Sequence, residues 1–186
     1  MIPNETVAFV ASFVAMLLIA TSYFLPKKDF FLLFQSFGIV GLMTSYLFSA
    51  EYFALVGLGV GLFRTLAYYA YEKRQQIPPF WLTSVIVLLT FGAYLLVNLG
   101  IQKTAKPVDI LYLISLVLFA TIFRMRSLER MRYFALIPIA LAVLYNAFSG
   151  ATIFAVAAYS FELGANSLAI LKTLIFQKKE NTNEKS

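Results

Sequence analysis

The chain has 186 residues, 61% of them apolar and 13% charged, with a mean hydropathy of +0.81 and a formal net charge of +6. A globular domain is roughly a quarter charged and roughly half apolar, and the excess here falls in long unbroken runs, the pattern of a polytopic membrane protein. The chain has neither cysteine nor histidine, which excludes disulfides, a thiolate metal site, a cysteine nucleophile and the commonest general base at neutral pH.

A bilayer core is about 30 Å thick, so a spanning helix needs about 20 mainly apolar residues. Seven stretches qualify, the shorter ones tilted: Glu5 to Leu25, Phe30 to Ser49, Tyr52 to Tyr71, Phe80 to Leu99, Ile110 to Phe123, Tyr133 to Phe148 and Thr152 to Phe176. Helices are expected throughout, because isolated strands would leave amides unpaired in lipid and the runs lack barrel-like alternation. No Lys or Arg precedes Lys27, so the first run lacks the basic region of a secretion signal and is expected to remain as a helix. Trp81, after Pro78 and Pro79, reads as an interfacial anchor. Arg124, Arg126, Arg130 and Arg132 crowd the turn between the fifth and sixth runs, and Pro138 is a candidate kink in the sixth. Lys172 stands near the end of the last run, where it can snorkel to headgroups. Residues 177–186 form a polar tail expected to be disordered.

The basic residues set an orientation. Lys27, Lys28, Lys73, Arg74, the four arginines, Lys178, Lys179 and Lys185 fall on one side, and Lys103 and Lys106 on the other, a ratio of eleven to two. The expected topology has the amino terminus outside and the carboxyl terminus in the cytoplasm. The net positive charge then lies against an anionic leaflet, and no nucleic-acid partner is needed to account for it.

The two ends of the chain echo each other at an offset of one hundred. Ala20-Thr21 meets Ala120-Thr121, Phe34 meets Phe134, Phe48-Ser49 meets Phe148-Ser149, and Val56 meets Val156. In each triplet of runs a longer loop comes first and a very short turn second, Ser49-Ala50-Glu51 or Ser149-Gly150-Ala151. The expected fold is an all-α membrane protein of seven transmembrane helices in a 3+1+3 parallel-repeat arrangement. Residues 1–176 make one domain, with 5–71 and 110–176 as three-helix units and 80–99 as the linker helix. In transporters built of parallel repeats the site lies near the bilayer midplane between the units.

Polar residues inside such spans are the informative ones. Gly57, Gly61, Arg64, Thr65 and Tyr68 share one face of the third run, spaced by three and four. The last run places Ala155, Ala158, Glu162, Asn166 and Ala169 on one face. Arg64 and Glu162 are opposite charges deep in their spans, each costing about 3 kcal/mol alone. Two accounts stand open. In one, the pair locks helices together, with Gly57 and Gly61 as a small-residue packing face. In the other it lines a polar cavity, with Asn166 taking guanidinium donors and Asn146, Tyr145 and Tyr46 adding to the walls. The glycines from Gly57 to Gly61 lack a preceding strand and a following Lys-Ser/Thr, so no nucleotide site is expected.

Phe63-Arg64-Thr65-Leu66 resembles the Ile-Arg-Thr-Leu segment of the YgjV family of bacterial inner-membrane proteins. Asn146-Ala-Phe-Ser-Gly150, followed by Asn166-Ser-Leu-Ala-Ile170, is similar to that family's carboxyl-terminal pattern. The family has Asn where this chain has Gly61, and a basic residue at the position of Lys172. The resemblance runs from about Gln35 onward and implies a multi-pass protein of a bacterial inner membrane rather than an activity. The three-one-three plan is also similar, as architecture, to SWEET and PQ-loop transporters. The expected function is a small transporter or facilitator of a polar or anionic metabolite by alternating access. Its substrate-binding candidates are Arg64, Glu162, Asn166, Thr65, Tyr68 and Asn146, with Arg64 as anion donor and Glu162 as counter-charge and proton carrier. No catalytic step, cofactor or metal is expected, and the bilayer is the one firm partner. The alternative is a non-transporting scaffold or accessory subunit.

Overall fold

The computed structural model describes residues 4–48, 52–101, 106–149 and 153–183. Among them run seven α-helices and no strand: α1 (Asn4–Ser22), α2 (Lys28–Phe48), α3 (Tyr52–Lys73), α4 (Phe80–Leu95), α5 (Asp109–Ile122), α6 (Leu128–Ser149) and α7 (Ile153–Asn183). A six-residue π-helical segment, Leu96–Ile101, continues α4. Each of the seven apolar runs is therefore a helix. The turns Ser49-Ala50-Glu51 and Gly150-Ala151, with Lys103 and Lys185, lie outside the described residues.

Two boundaries differ from expectation for local reasons. Helix α6 begins at Leu128 rather than Tyr133, because Ser127 precedes it and its Oγ accepts the Arg130 N–H at 3.3 Å, an N-terminal cap. Arg130 and Arg132 thus belong to a helix and not to a loop. At the other end of the chain, residues 177–183 continue α7 instead of forming a disordered tail. That stretch is rich in Gln, Lys and Glu and holds no Gly or Pro, so nothing in it stops the helix.

Lys28–Phe48, Phe80–Asn98 and Leu128–Ser149 are each long and apolar enough to cross a bilayer, and Thr6–Ser22 and Asp109–Ile122 are apolar but shorter. The distribution of side chains agrees with that length argument. Phe37, Leu47, Leu88, Phe148 and Ile153 are more than half exposed, whereas Ser12, Gln35, Ser45, Thr65, Asn146 and Asn166 are buried. So many exposed large apolar side chains around a polar interior suit a lipid surrounding better than water.

The helices pack in chain order. α1 lies on α2, α2 on α3, α3 and α5 on α4, α5 on α6, α6 on α7, and α7 returns to α1. Glycine permits the closest approach. A Cβ on Gly41 of α2 would stand 2.9 Å from the Ala15 Cβ of α1, and one on Gly57 of α3 would stand 2.8 Å from the Tyr112 ring of α5. Since direct van der Waals packing, not the hydrophobic effect, holds helices together in lipid, such approaches carry much of the association.

One end of the ring gathers the basic loops. Lys28 pairs with Glu72 at 2.8 Å, Arg124 Nε donates to the Pro78 carbonyl at 2.9 Å, and Arg132 Nη2 donates to the Leu25 carbonyl at 2.8 Å. The connections after α1, α3 and α5 are thereby stitched together. At the opposite end, Lys106 Nζ donates to the Ser149 carbonyl at 3.1 Å.

Candidate functional site

At the centre of the ring lies a cavity of about 40 Å³, room for roughly two or three waters. α3 contributes Gly61 and Arg64, α7 contributes Tyr159 and Glu162, α2 contributes Gln35, and α5 contributes Tyr112 and Ser115. Phe119 and Phe123, at the end of α5, close one wall. Arg64 and Glu162 therefore do face a common interior, although 98 sequence positions separate them.

They are not joined there. No ion pair within 4.0 Å links Arg64 to Glu162. The Arg64 guanidinium carbon instead sits 4.7 Å from the Phe123 ring centroid and 5.2 Å from that of Phe119. These are cation–π distances, and desolvation strengthens such contacts to about 2 kcal/mol. Its Nε is buried without a hydrogen-bond partner. A Cβ at Gly61 would stand 3.8 Å from the Arg64 Nη2, an ordinary van der Waals contact, so the guanidinium lies directly beside this glycine. Glu162 accepts a hydrogen bond from the Tyr23 hydroxyl at 2.7 Å, so the carboxyl is tied to α1's end rather than to α3. Gln35 Nε2 donates to Ser22 Oγ at 3.1 Å, and Ser22 Oγ donates to the Ile19 carbonyl at 2.6 Å. The aromatic walls interlock edge to face: Tyr23 with Phe31, Phe31 with Phe123, and Phe123 with Phe119.

The other sequence-derived candidates fall elsewhere. Thr65 Oγ1 donates to the Gly61 carbonyl one turn back at 2.8 Å and does not line the cavity. The Tyr68 hydroxyl donates to the Ala120 carbonyl at 2.8 Å and lies 2.9 Å from Thr83 Oγ1, which fastens α3 to α5 and α4. With its own proton committed to Ala120, the Tyr68 oxygen accepts from Thr83. Asn146 Oδ1 accepts from the Tyr46 hydroxyl at 2.6 Å, and its Nδ2 donates to the Ala142 carbonyl at 2.7 Å. Asn166 does not reach Arg64. Its Nδ2 donates to the Arg132 carbonyl at 2.8 Å, and its Oδ1 is buried and unpartnered. Tyr145 stacks on Tyr112 at 4.7 Å. Of the six candidates, Arg64 and Glu162 line the cavity, Tyr68, Asn146 and Asn166 tie helices together around it, and Thr65 bonds only within its own helix.

Sequence reasoning passed over Gln35, Ser115, Tyr112 and Tyr159. Gln35 had a signal, an amide in the middle of an apolar run, and so did Ser115. The tyrosines had none, since a tyrosine in a span is as readily an interfacial anchor as a cavity wall.

Neither protein-family models, nor curated proteins, nor solved structures match the chain. The class defined by fold and site is an all-helical bundle, three of its helices long and apolar enough to span a membrane, with a buried central cavity lined by Arg64 and Glu162.

Proposed function

We propose that the chain is a small membrane transporter or facilitator that passes a polar or anionic metabolite through the Arg64–Glu162 cavity by alternating access. One observation carries the proposal: a buried guanidinium in the centre of the bundle with an unpartnered Nε and no carboxylate in contact. A charge kept only for packing gains by closing onto its counter-ion. Here Glu162 is held by Tyr23 and Arg64 rests on aromatic faces, which leaves guanidinium donors for a visiting anion or hydroxyl. Tyr112, Tyr159, Ser115 and Gln35 supply further polar groups to orient it. At about 40 Å³ the cavity holds waters and not a metabolite, so loading requires helices to part on one side.

The movement fits two three-helix units, α1–α3 and α5–α7, bridged by α4, as a 3+1+3 repeat. In support, Tyr46 and Asn146, one hundred positions apart, meet across the interior at 2.6 Å. The closing contacts α1 with α7 and α3 with α5 are also equivalents under that repeat. The stitched basic end would face the cytoplasm, with the amino terminus outside, in a bacterial inner membrane; kinship with the YgjV family belongs to the same proposal. The small cavity favours a second reading, a scaffold in which Arg64 and Glu162 only pack.

A thermal-unfolding screen of the purified protein against small carboxylates, phosphates and polyols, with Arg64→Met alongside, separates the two. A transporter gives at least one compound that raises the unfolding temperature of the wild type and not of the variant. A folded wild type that responds to nothing, or identically to the variant, is a scaffold.

A further inference from the structure

A second recess lies at the basic end, outside the central site. It has a volume of about 250 Å³ and opens between the turn after α1 (Tyr23 to Pro26), Arg132 at the start of α6, and Lys172, Thr173 and Phe176 of α7. We infer that this groove binds the phosphate of an anionic phospholipid, with Arg132 and Lys172 as its two cations.

The geometry divides their roles. Arg132 is held in place: its Nη2 donates to the Leu25 carbonyl at 2.8 Å and its own carbonyl accepts from Asn166 Nδ2 at 2.8 Å. Yet its Nε is buried without a hydrogen-bond partner, a fixed donor lacking an acceptor. Lys172 is exposed, with its ammonium 6.0 Å from the Phe176 ring centroid, so it can swing onto an anion seated beside Arg132. Neither cation forms an ion pair among the described residues. A phosphate in the groove would lie between the guanidinium of Arg132 and the mobile ammonium of Lys172, both of which pair readily with phosphate oxygens.

The walls favour a lipid over a soluble phosphate. Phe24 and Phe176 line the groove and are 46% and 58% exposed, beside Leu25 and Pro26. A soluble anion would leave those rings unused, whereas the glycerol and first acyl carbons of a phospholipid would cover them. The basic end is also where an anionic leaflet would lie, and basic pockets between helices at that level suit such headgroups.

The test uses the full chain in a neutral detergent, its unfolding temperature followed as dioctanoyl phosphatidylglycerol is titrated. Dioctanoyl phosphatidylcholine and free glycerol phosphate serve as the two comparison probes. Phosphatidylglycerol is expected to stabilise the wild type, with half-saturation about fivefold higher in Arg132→Gln and in Lys172→Gln. Arg126→Gln, an exposed arginine outside the groove, is expected to titrate as the wild type does. Should Arg132→Gln fail to fold for want of its bond to Leu25, Lys172→Gln still decides the matter, since its ammonium makes no hydrogen bond among the described residues. The inference is overturned by no response to phosphatidylglycerol, by an equal response in the groove variants, or by an equal response to phosphatidylcholine. Glycerol phosphate matching the lipid would move the site to soluble phosphates and overturn the lipid assignment.

Discussion

A guanidinium withdrawn from water has five N–H donors to satisfy and ordinarily finds carboxylates or carbonyls for them. Arg64 has two aromatic faces and a small cavity instead. Replacement by methionine, similar in length, removes the charge and leaves Glu162 on its Tyr23 bond. Arg64→Met should therefore unfold within about 1 kcal/mol of the wild type or above it, whereas breaking a contacting buried pair costs about 3–5 kcal/mol. Chemical or thermal unfolding in detergent measures the difference. Tyr23→Phe acts in the opposite sense. It removes the donor that holds the buried Glu162 carboxyl, and a loss of about 1–3 kcal/mol is expected. If Tyr23→Phe is neutral while Arg64→Met is severely destabilising, then Glu162 depends on Arg64 and not on Tyr23.

At the scale of elements, helix contacts in lipid depend on how closely backbones approach. Gly41→Leu would push a side chain into Ala15 and the Ala11 carbonyl of α1, each about 3 Å from its Cβ. A loss of about 1–3 kcal/mol, the usual cost of overpacking, should follow. Gly92 in α4 is the contrasting site, where an added Cβ would meet nothing within 4 Å. Gly92→Ala should raise stability by up to about 1 kcal/mol through helix propensity; a destabilised Gly92→Ala would mean that another surface packs there. The seven helices were legible in the sequence because apolar run length alone sets them. The start of α6 was not, because a serine cap outweighed the cluster of arginines. Nor was the continuation of α7, since a polar stretch reads as loop or helix with equal ease. Among site residues, Arg64 and Glu162 were legible as charges out of place. Asn166 and Asn146 carried the same signal, but helix-to-helix hydrogen bonds leave an identical mark on the sequence.

For the whole molecule, the stitched loops gather positive charge at one end of the ring. Alkaline phosphatase is active only outside the cytoplasm. Fused after residue 183 it should be inactive, and inserted near Lys106 it should be active; the reverse pattern would invert the topology. The proposed alternating access requires the cavity to communicate with both sides in turn. Ser115 lines it from α5 and donates to the Pro138 carbonyl at 2.8 Å, and the chain has no cysteine of its own. Ser115→Cys in oriented vesicles, probed with a membrane-impermeant thiol reagent from each face, is the most direct measurement. Alternating access predicts modification from both faces. Protection of that cysteine from both faces, in a protein that is demonstrably folded, would contradict it and leave Arg64 and Glu162 as packing residues.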